Sequence, residues 1–278
     1  CNEAAAEKDG YTKEEFLKFH IKELRHPDDI GLLYETDKPD APYSEHHKKV
    51  WRHKKKNGEI LYADVTGHLM DYHGKRVTLS IMNDVTESRY YQALDKLEKK
   101  ILELNAGNDK SIRELVNIYL TGIESLHPGM YCSVRERRGD RFCNLAAPSL
   151  PEGFLMESEG IEMGQDKGPG GMTAFSKQKV VVSNISTNKH WMDACEATAK
   201  YKLKTCWSYP ILDAKDELMA TFDVYFPEIK SLADLEENTL QRTAQLLQLI
   251  LESDQKERAL KISNERFEYA AEATSDII

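Results

Sequence analysis

The residues best suited to chemistry lie in one apolar stretch of the last third of the chain. Cys206, Ser208, Thr221, Asp223 and Tyr225 fall at alternate positions of two strand-like runs, Thr205–Leu212 and Leu218–Phe226. Pairing these runs about a turn at Asp213–Asp216 sets Ser208 opposite Thr221 and Cys206 opposite Asp223. Alternation then places all five on one face, with Trp207, Phe222 and Val224 on the other. A carboxylate in the middle of an apolar strand is costly to bury unless it is paired. Two kinds of partner suit Asp223: a ligand, or an internal donor such as Ser208. The five residues are therefore the candidate ligand-binding set, and the chemistry expected of them is polar recognition rather than bond breaking.

Other constellations point less far. Gly168-Pro169-Gly170-Gly171 precedes a helical run from Met172 and offers a phosphate cradle at a helix start. It lacks the Lys-Ser/Thr of a nucleotide-binding loop and the spacing of a dinucleotide fingerprint, so a turn demanded by the fold accounts for it better. Among nine histidines, His46 and His47 are adjacent and point to opposite strand faces, which prevents joint chelation. His20 beside Phe19 and His190 beside Trp191 have the setting of a haem ligand, but a surface or hydrogen-bonded histidine is the commoner role. The five cysteines, Cys1, Cys132, Cys143, Cys195 and Cys206, form no CxxC pair. Neither a zinc site nor a disulfide framework is expected, and Cys132 and Cys143 sit out of register for a bridge. Reduced, buried thiols suit a cytoplasmic protein. Thiol catalysis at Cys195 or Cys206 is the enzymatic alternative, and it requires an exposed sulfur beside a base or cation. No catalytic residue, metal ligand or cofactor is assigned.

Bulk properties narrow the class. A length of 278 residues is that of about two domains. Hydrophobic residues at 40% and charged residues at 31% fit globular domains joined by exposed helices. The net charge of −9 argues against a nucleic-acid partner. One basic run, His46–Lys56, reads as a solvated edge strand. The longest strongly apolar run, Leu246–Leu251, is far short of a membrane span. The N-terminus lacks both an initiator Met and the pattern of a signal peptide, so the chain is expected to be a piece of a longer protein.

Local signals then set out the elements. Thr12-x-x-Glu15 is a capping box ahead of a short helix. His26-Pro27-Asp28-Asp29 starts another, through Leu32 and Leu33. Strand-like runs follow at His46–His53, Ile60–Tyr72 and Val77–Met82, turned at Asn57-Gly58 and His73-Gly74. Val77, Leu79 and Ile81 have the period of a half-buried strand. After Asp84-Val85-Thr86, a helix carries Tyr90, Leu94, Leu97, Ile101 and Leu104 at heptad spacing, a seam suited to pairing with a second helix. Lys96, Lys99, Lys100 and Glu103 should face solvent. Helices are expected over Ile112–Leu126 and Asp193–Leu203, strands at Met130–Val134, Arg141–Leu145 and Val180–Val182, and a final long helix capped by Ser231-x-x-Asp234.

The ordered set Asn2-Glu3-Ala4-Ala5, Gly10-Tyr11-Thr12-x-x-Glu15, HPDD at 26–29, Asn57-Gly58 and Asp84-Val85-Thr86 resembles a PAS sensor domain that begins where the second strand should be finishing. GGMTAF (170–175), KVVVSNI (179–185), HWMD (190–193), CWSYPIL (206–212) and LMATFDVYF (218–226) resemble the GAF domains of multi-sensor histidine kinases. Gly171 stands where that type commonly has a cysteine. The tail Glu265–Ile278 resembles the opening of a further PAS domain. The resemblances imply an α+β chain: a partial PAS domain over 1–86, a connecting signalling helix over 87–108, a GAF domain over 109–252, and a linker helix over 253–278. They imply the cytoplasmic sensory region of a histidine kinase, acting as a homodimer that answers an unidentified small-molecule or redox input. Its partner would be a downstream transmitter in the parent chain. A sensor region of a cyclic-dinucleotide enzyme and a ligand-free PAS/GAF dimerisation module are the alternatives.

Overall fold

The computed structural model describes residues 3–32, 47–107, 109–187 and 191–275. Expectations placed on Leu33, His46 and His190 lie outside them. The chain divides into two compact units, Cys1–Ala93 and Leu94–Ile278.

In the first unit, helices α1 (Glu3–Asp9) and α2 (Lys13–Phe16) precede two 3₁₀ turns, Ile21–Leu24 and Pro27–Asp29. The Thr12–Glu15 capping box forms as its spacing predicts. His20 caps the first 3₁₀ turn, its ring Nδ1 accepting from the Lys22 amide, and its side chain is exposed rather than set in a pocket. Strands β1 (His47–Lys54), β2 (Ile60–Tyr72) and β3 (Lys75–Asp84) form an antiparallel sheet in that order. Gly58 adopts φ +90° in the first hairpin, and His73 and Gly74 adopt +51° and +73° in the second.

The covered face of this sheet carries Trp51, Leu61 and Ala63. On β3 the register gives that face Met82, which pairs with Val65, and leaves Val77, Leu79 and Ile81 on the other. Those three are exposed, so the expected half-burial of β3 is not found: the alternation is real, but its apolar side is the uncovered one. Asp29 holds the Arg52 side chain through Nε at 3.1 Å and also accepts from its amide. The Arg52 guanidinium keeps the Asp29 carboxyl below the usual carboxylate range. The pair therefore contributes stability above the ordinary carboxylate pKa, and this is lost as pH falls through the lowered value. Arg52→Gln should remove that contribution, so that Trp51 fluorescence reports acid unfolding at a higher pH than in wild type.

Thr86 ends the sheet and starts the next helix. Its hydroxyl accepts from the Tyr62 amide at 2.8 Å, and its amide donates to Asp84 at 2.9 Å. Helix α3 (Thr86–Ala106) follows. Its expected stripe is present, with Leu94 and Ile101 fully buried, Tyr90, Leu97 and Leu104 half-buried, and Lys96, Lys99, Lys100 and Glu103 exposed. The stripe does not await a second copy, however. From Leu94 onward it packs inside the second unit on helix α4 (Ile112–Leu126), where a Cβ at Gly122 would stand 2.5 Å from the Leu97 tip. Leu94 and Ile101, with no accessible surface, are therefore covered within the chain itself.

The second unit is built on a six-stranded antiparallel sheet. Its strands are β4 (Tyr131–Arg138), β5 (Arg141–Ala146), β6 (Ile161–Glu162), β7 (Val180–Val182), β8 (Thr205–Leu212) and β9 (Leu218–Phe226), in the order β6-β5-β4-β9-β8-β7. On one face α4 packs against β4 and β5, and the long helix α8 (Asp234–Ser275) packs against β8. Trp207, Phe222, Val224 and Phe226 are buried in the sheet, as are Leu240, Leu247 and Ile250 of α8. Arg242 of α8 bonds Asp95 and Glu98 of α3, tying the first helix of the unit to its last. The α8 cap is the Ala233 amide on the Glu236 carboxylate, not Ser231. The opposite face carries the short helices α5 (Glu152–Glu157), α6 (Gly168–Ser176) and α7 (Met192–Lys200). Among the described residues no helix is long and apolar enough to cross a membrane.

Candidate functional site

The site lies on the α6 side of β4, β8 and β9. The five sequence candidates do share one face, but the register differs by two residues from expectation. Ser208 pairs with Asp223, Cys206 with Tyr225, and Pro210 with Thr221. The turn, closed by the Asp213 amide on the Glu217 carbonyl, supplies one residue of this offset and an irregularity at Ile211/Leu212 supplies the other; a slip of two preserves the face of every side chain.

Asp223 is completely buried and is held by three donors. The Ser208 hydroxyl reaches Oδ1 at 2.5 Å, the Thr221 hydroxyl reaches Oδ2 at 3.2 Å, and Arg135 Nε reaches Oδ2 at 2.9 Å. Arg135 also donates from Nη2 to the Tyr225 hydroxyl at 2.6 Å. Burial works against the Arg135 charge, but the Tyr225 oxygen and the Asp223 carboxylate outweigh it and hold the guanidinium protonated. The Tyr225 phenol is pushed up, first by burial.

Arg135 was not among the sequence candidates. The strand expected at Met130–Val134 runs on to Arg138, and β4 lies beside β9, which brings Arg135 opposite Thr221 and next to Asp223. The available signal was an arginine one alternation beyond Ser133. Using it requires knowing that these two strands are neighbours.

A cavity of about 470 Å³ opens above this network, between the sheet and helices α5, α6 and α7. Of the five candidates only Tyr225 lines it, together with Arg135. Cys206, Ser208, Thr221 and Asp223 form the layer beneath. Gly168-Pro169-Gly170-Gly171 is not a loop ahead of the helix but the first turn of α6 itself. Pro169 suits that turn because its fixed φ is helical and its missing N–H would have had no partner there. Two of its glycines are needed for space. Gly168 has φ +78°, and a Cβ there would meet that of Ala194 at 2.8 Å. A Cβ on Gly170 would lie 3.2 Å from both Arg135 Nη2 and Asp223 Oδ1. Gly170→Val should therefore lift α6 from the ion pair and destabilise the unit by about 1–3 kcal/mol. Thermal unfolding checks this, and an unchanged midpoint would mean the approach is not tight.

The thiols do not have the setting of nucleophiles. Cys206 is buried and its thiol is pushed up by burial. Cys195, half-buried, is also pushed up by burial and donates to the Ile185 carbonyl at 3.2 Å. Cys132 and Cys143 are free. Among the described residues no cluster of His, Cys, Asp and Glu could hold a metal ion. The arrangement is suited to binding rather than to covalent chemistry.

No family model matches the chain. It is 27% identical over 265 residues to the methyl sulfide methyltransferase-associated sensor of Methanosarcina acetivorans, a match covering 93% of this chain. The chain spans about a quarter of that curated relative's length, 26%. The GAF domain of an Acinetobacter phosphoenolpyruvate-protein phosphotransferase superposes with a TM-score of 0.47 at 14% identity, over 63% of this chain and 98% of that one. The GAF domain of the corresponding Coxiella burnetii protein superposes with a TM-score of 0.50 at 10% identity, over 64% of this chain and 99% of that one. The chain thus contains an α+β unit with the GAF fold, an antiparallel sheet flanked by helices.

Proposed function

We propose that the chain is the sensory region of a signal-transduction protein, with a histidine kinase as parent and a cyclic-dinucleotide enzyme as the second reading. Residues 1–86 serve as a PAS-type domain, 87–108 as a connecting helix, 109–252 as the GAF domain, and 253–278 as a helix entering a further PAS domain. The partners that go with this reading are an unidentified small molecule, a second copy of the chain and a downstream transmitter, in the cytoplasm. The name of the Methanosarcina relative, a sensor, supports it. The homodimer draws no support from Leu94 and Ile101 of the α3 stripe, which are buried within the chain.

One observation carries the reading: the two faces of the GAF sheet do different work. One face floors a cavity with the Arg135–Asp223 pair, while α8, tied to α3 through Arg242, packs on β8 from the other. A molecule that contacts Arg135 perturbs residues whose strand neighbours support α8. Such a ligand can shift the helices only as far as it binds their two arrangements unequally. An open cavity with converging polar groups also weighs against a ligand-free platform.

Ala197 lines the cavity and is half-buried. Ala197→Leu in the longer parent protein should abolish the response to input while leaving the chain folded. Unchanged output, with the cavity filled, would defeat the reading.

A further inference from the structure

The groups that Arg135 and α6 present to the cavity are donors, and this bears on what the cavity holds. Arg135 is 6% exposed. Its Nε is taken by Asp223 and its Nη2 by Tyr225, while Nη1 meets no partner among the described residues and is not sealed from the cavity that Arg135 lines. A guanidinium nitrogen left in this way is a hydrogen-bond donor open to the cavity. Beside it stands the start of α6, a nine-residue helix without a side-chain cap. Its first amides have no acceptor within the helix, and its dipole favours negative charge there. Gly170 brings that turn against the guanidinium, 3.2 Å from Nη2 to a would-be Cβ.

The rest of the lining limits the charge. Arg135 is already balanced by Asp223 and Glu157 by Lys200, and Arg141 and Lys167 line the cavity with Glu159, Glu162 and Asp166, one acid in excess. A dianion would meet that acidic excess, and a cation would find the floor blocked by donors. A single negative charge with two planar oxygens suits one free guanidinium nitrogen and one helix start. The remaining wall is apolar, from Phe154, Pro169, Ala194 and Ala197.

We propose that the cavity binds a small monocarboxylate with a compact apolar body, its oxygens on Arg135 Nη1 and the first turn of α6. This inference rests on the cavity being the sensory site, and it adds the chemical class of the ligand.

Matched probes test it on the whole 278-residue chain. Acetate, valerate and phenylacetate are each titrated against their amides and against inorganic phosphate, by calorimetry and ligand-observed NMR. At least one acid should bind, about tenfold or more tighter than its amide, a difference of about 1.4 kcal/mol. Arg135→Lys keeps a cation beside Asp223 but loses the forked nitrogen, and should reduce that preference to about twofold or less. The comparison of acid with amide on the unaltered chain does not depend on that variant folding. An amide that binds as well as its acid overturns the carboxylate while leaving the cavity a binding site. Phosphate binding more tightly than every acid overturns it too, as does no acid binding at about 10 mM. Failure of the sensory reading itself is seen separately, as unchanged output from Ala197→Leu in the parent.

Discussion

Arg135→Ala should lower the unfolding free energy of the GAF unit by about 3–5 kcal/mol, the usual cost of removing one partner of a buried ion pair. The variant leaves Asp223, with no accessible surface, to the Ser208 and Thr221 hydroxyls alone. Asp223→Ala should cost a similar amount, because it strands a guanidinium that is only 6% exposed. The loss comes from an uncompensated charge rather than from missing volume. Arg135→Met combined with Asp223→Leu should therefore recover most of it, since apolar residues of similar size commonly replace a buried pair without penalty. Hydrogen exchange of the β8 and β9 amides reports this unit alone and measures all three variants. A loss below about 1 kcal/mol for Arg135→Ala would mean that the pair is solvated after all.

Leu97→Asp combined with Ile101→Asp should unfold the helical layer instead of merely separating two copies. Ile101 has no accessible surface, and the Leu97 tip lies 2.5 Å from where a Cβ on Gly122 would be. Each new carboxylate enters an apolar contact without a partner, so a combined cost above about 4 kcal/mol is expected. Sedimentation and circular dichroism together decide it. A chain that stays folded while changing only its oligomeric state would return the stripe to the role its heptad spacing suggested. Gly122→Ala gives a graded check, because the Leu97 tip must turn aside and the helices part slightly. A smaller loss of the same sign is expected.

Patterns that repeat over a few residues were legible in the sequence. The alternation in Thr205–Leu212 and Leu218–Phe226 assigned Cys206, Ser208, Thr221, Asp223 and Tyr225 to one face and Trp207 and Phe222 to the other, as they lie. The Thr12–Glu15 capping box, the turns at Gly58 and Gly74, and the stripe of α3 were equally local. They follow from the two periods, 2 and 3.6, that the backbone imposes on side-chain direction.

Tertiary structure decided what each face meets. Asp223 and its strongest partner, Arg135, are 88 residues apart, and only the adjacency of β4 and β9 joins them. A turn one residue longer than expected and the irregularity at Ile211/Leu212 together moved the hairpin register by two, which alternation cannot detect because it leaves every face unchanged. On β3 the apolar side of the alternation is the uncovered one. An amphipathic stripe likewise records only that a helix must cover something. On α3 the cover is α4 of the same chain, because Gly122 lacks the side chain that would hold the two helices apart. The same rule made a helix of Gly168–Gly171, whose glycines read locally as a turn. Their want of a Cβ is what lets the first turn of α6 close down on a buried ion pair.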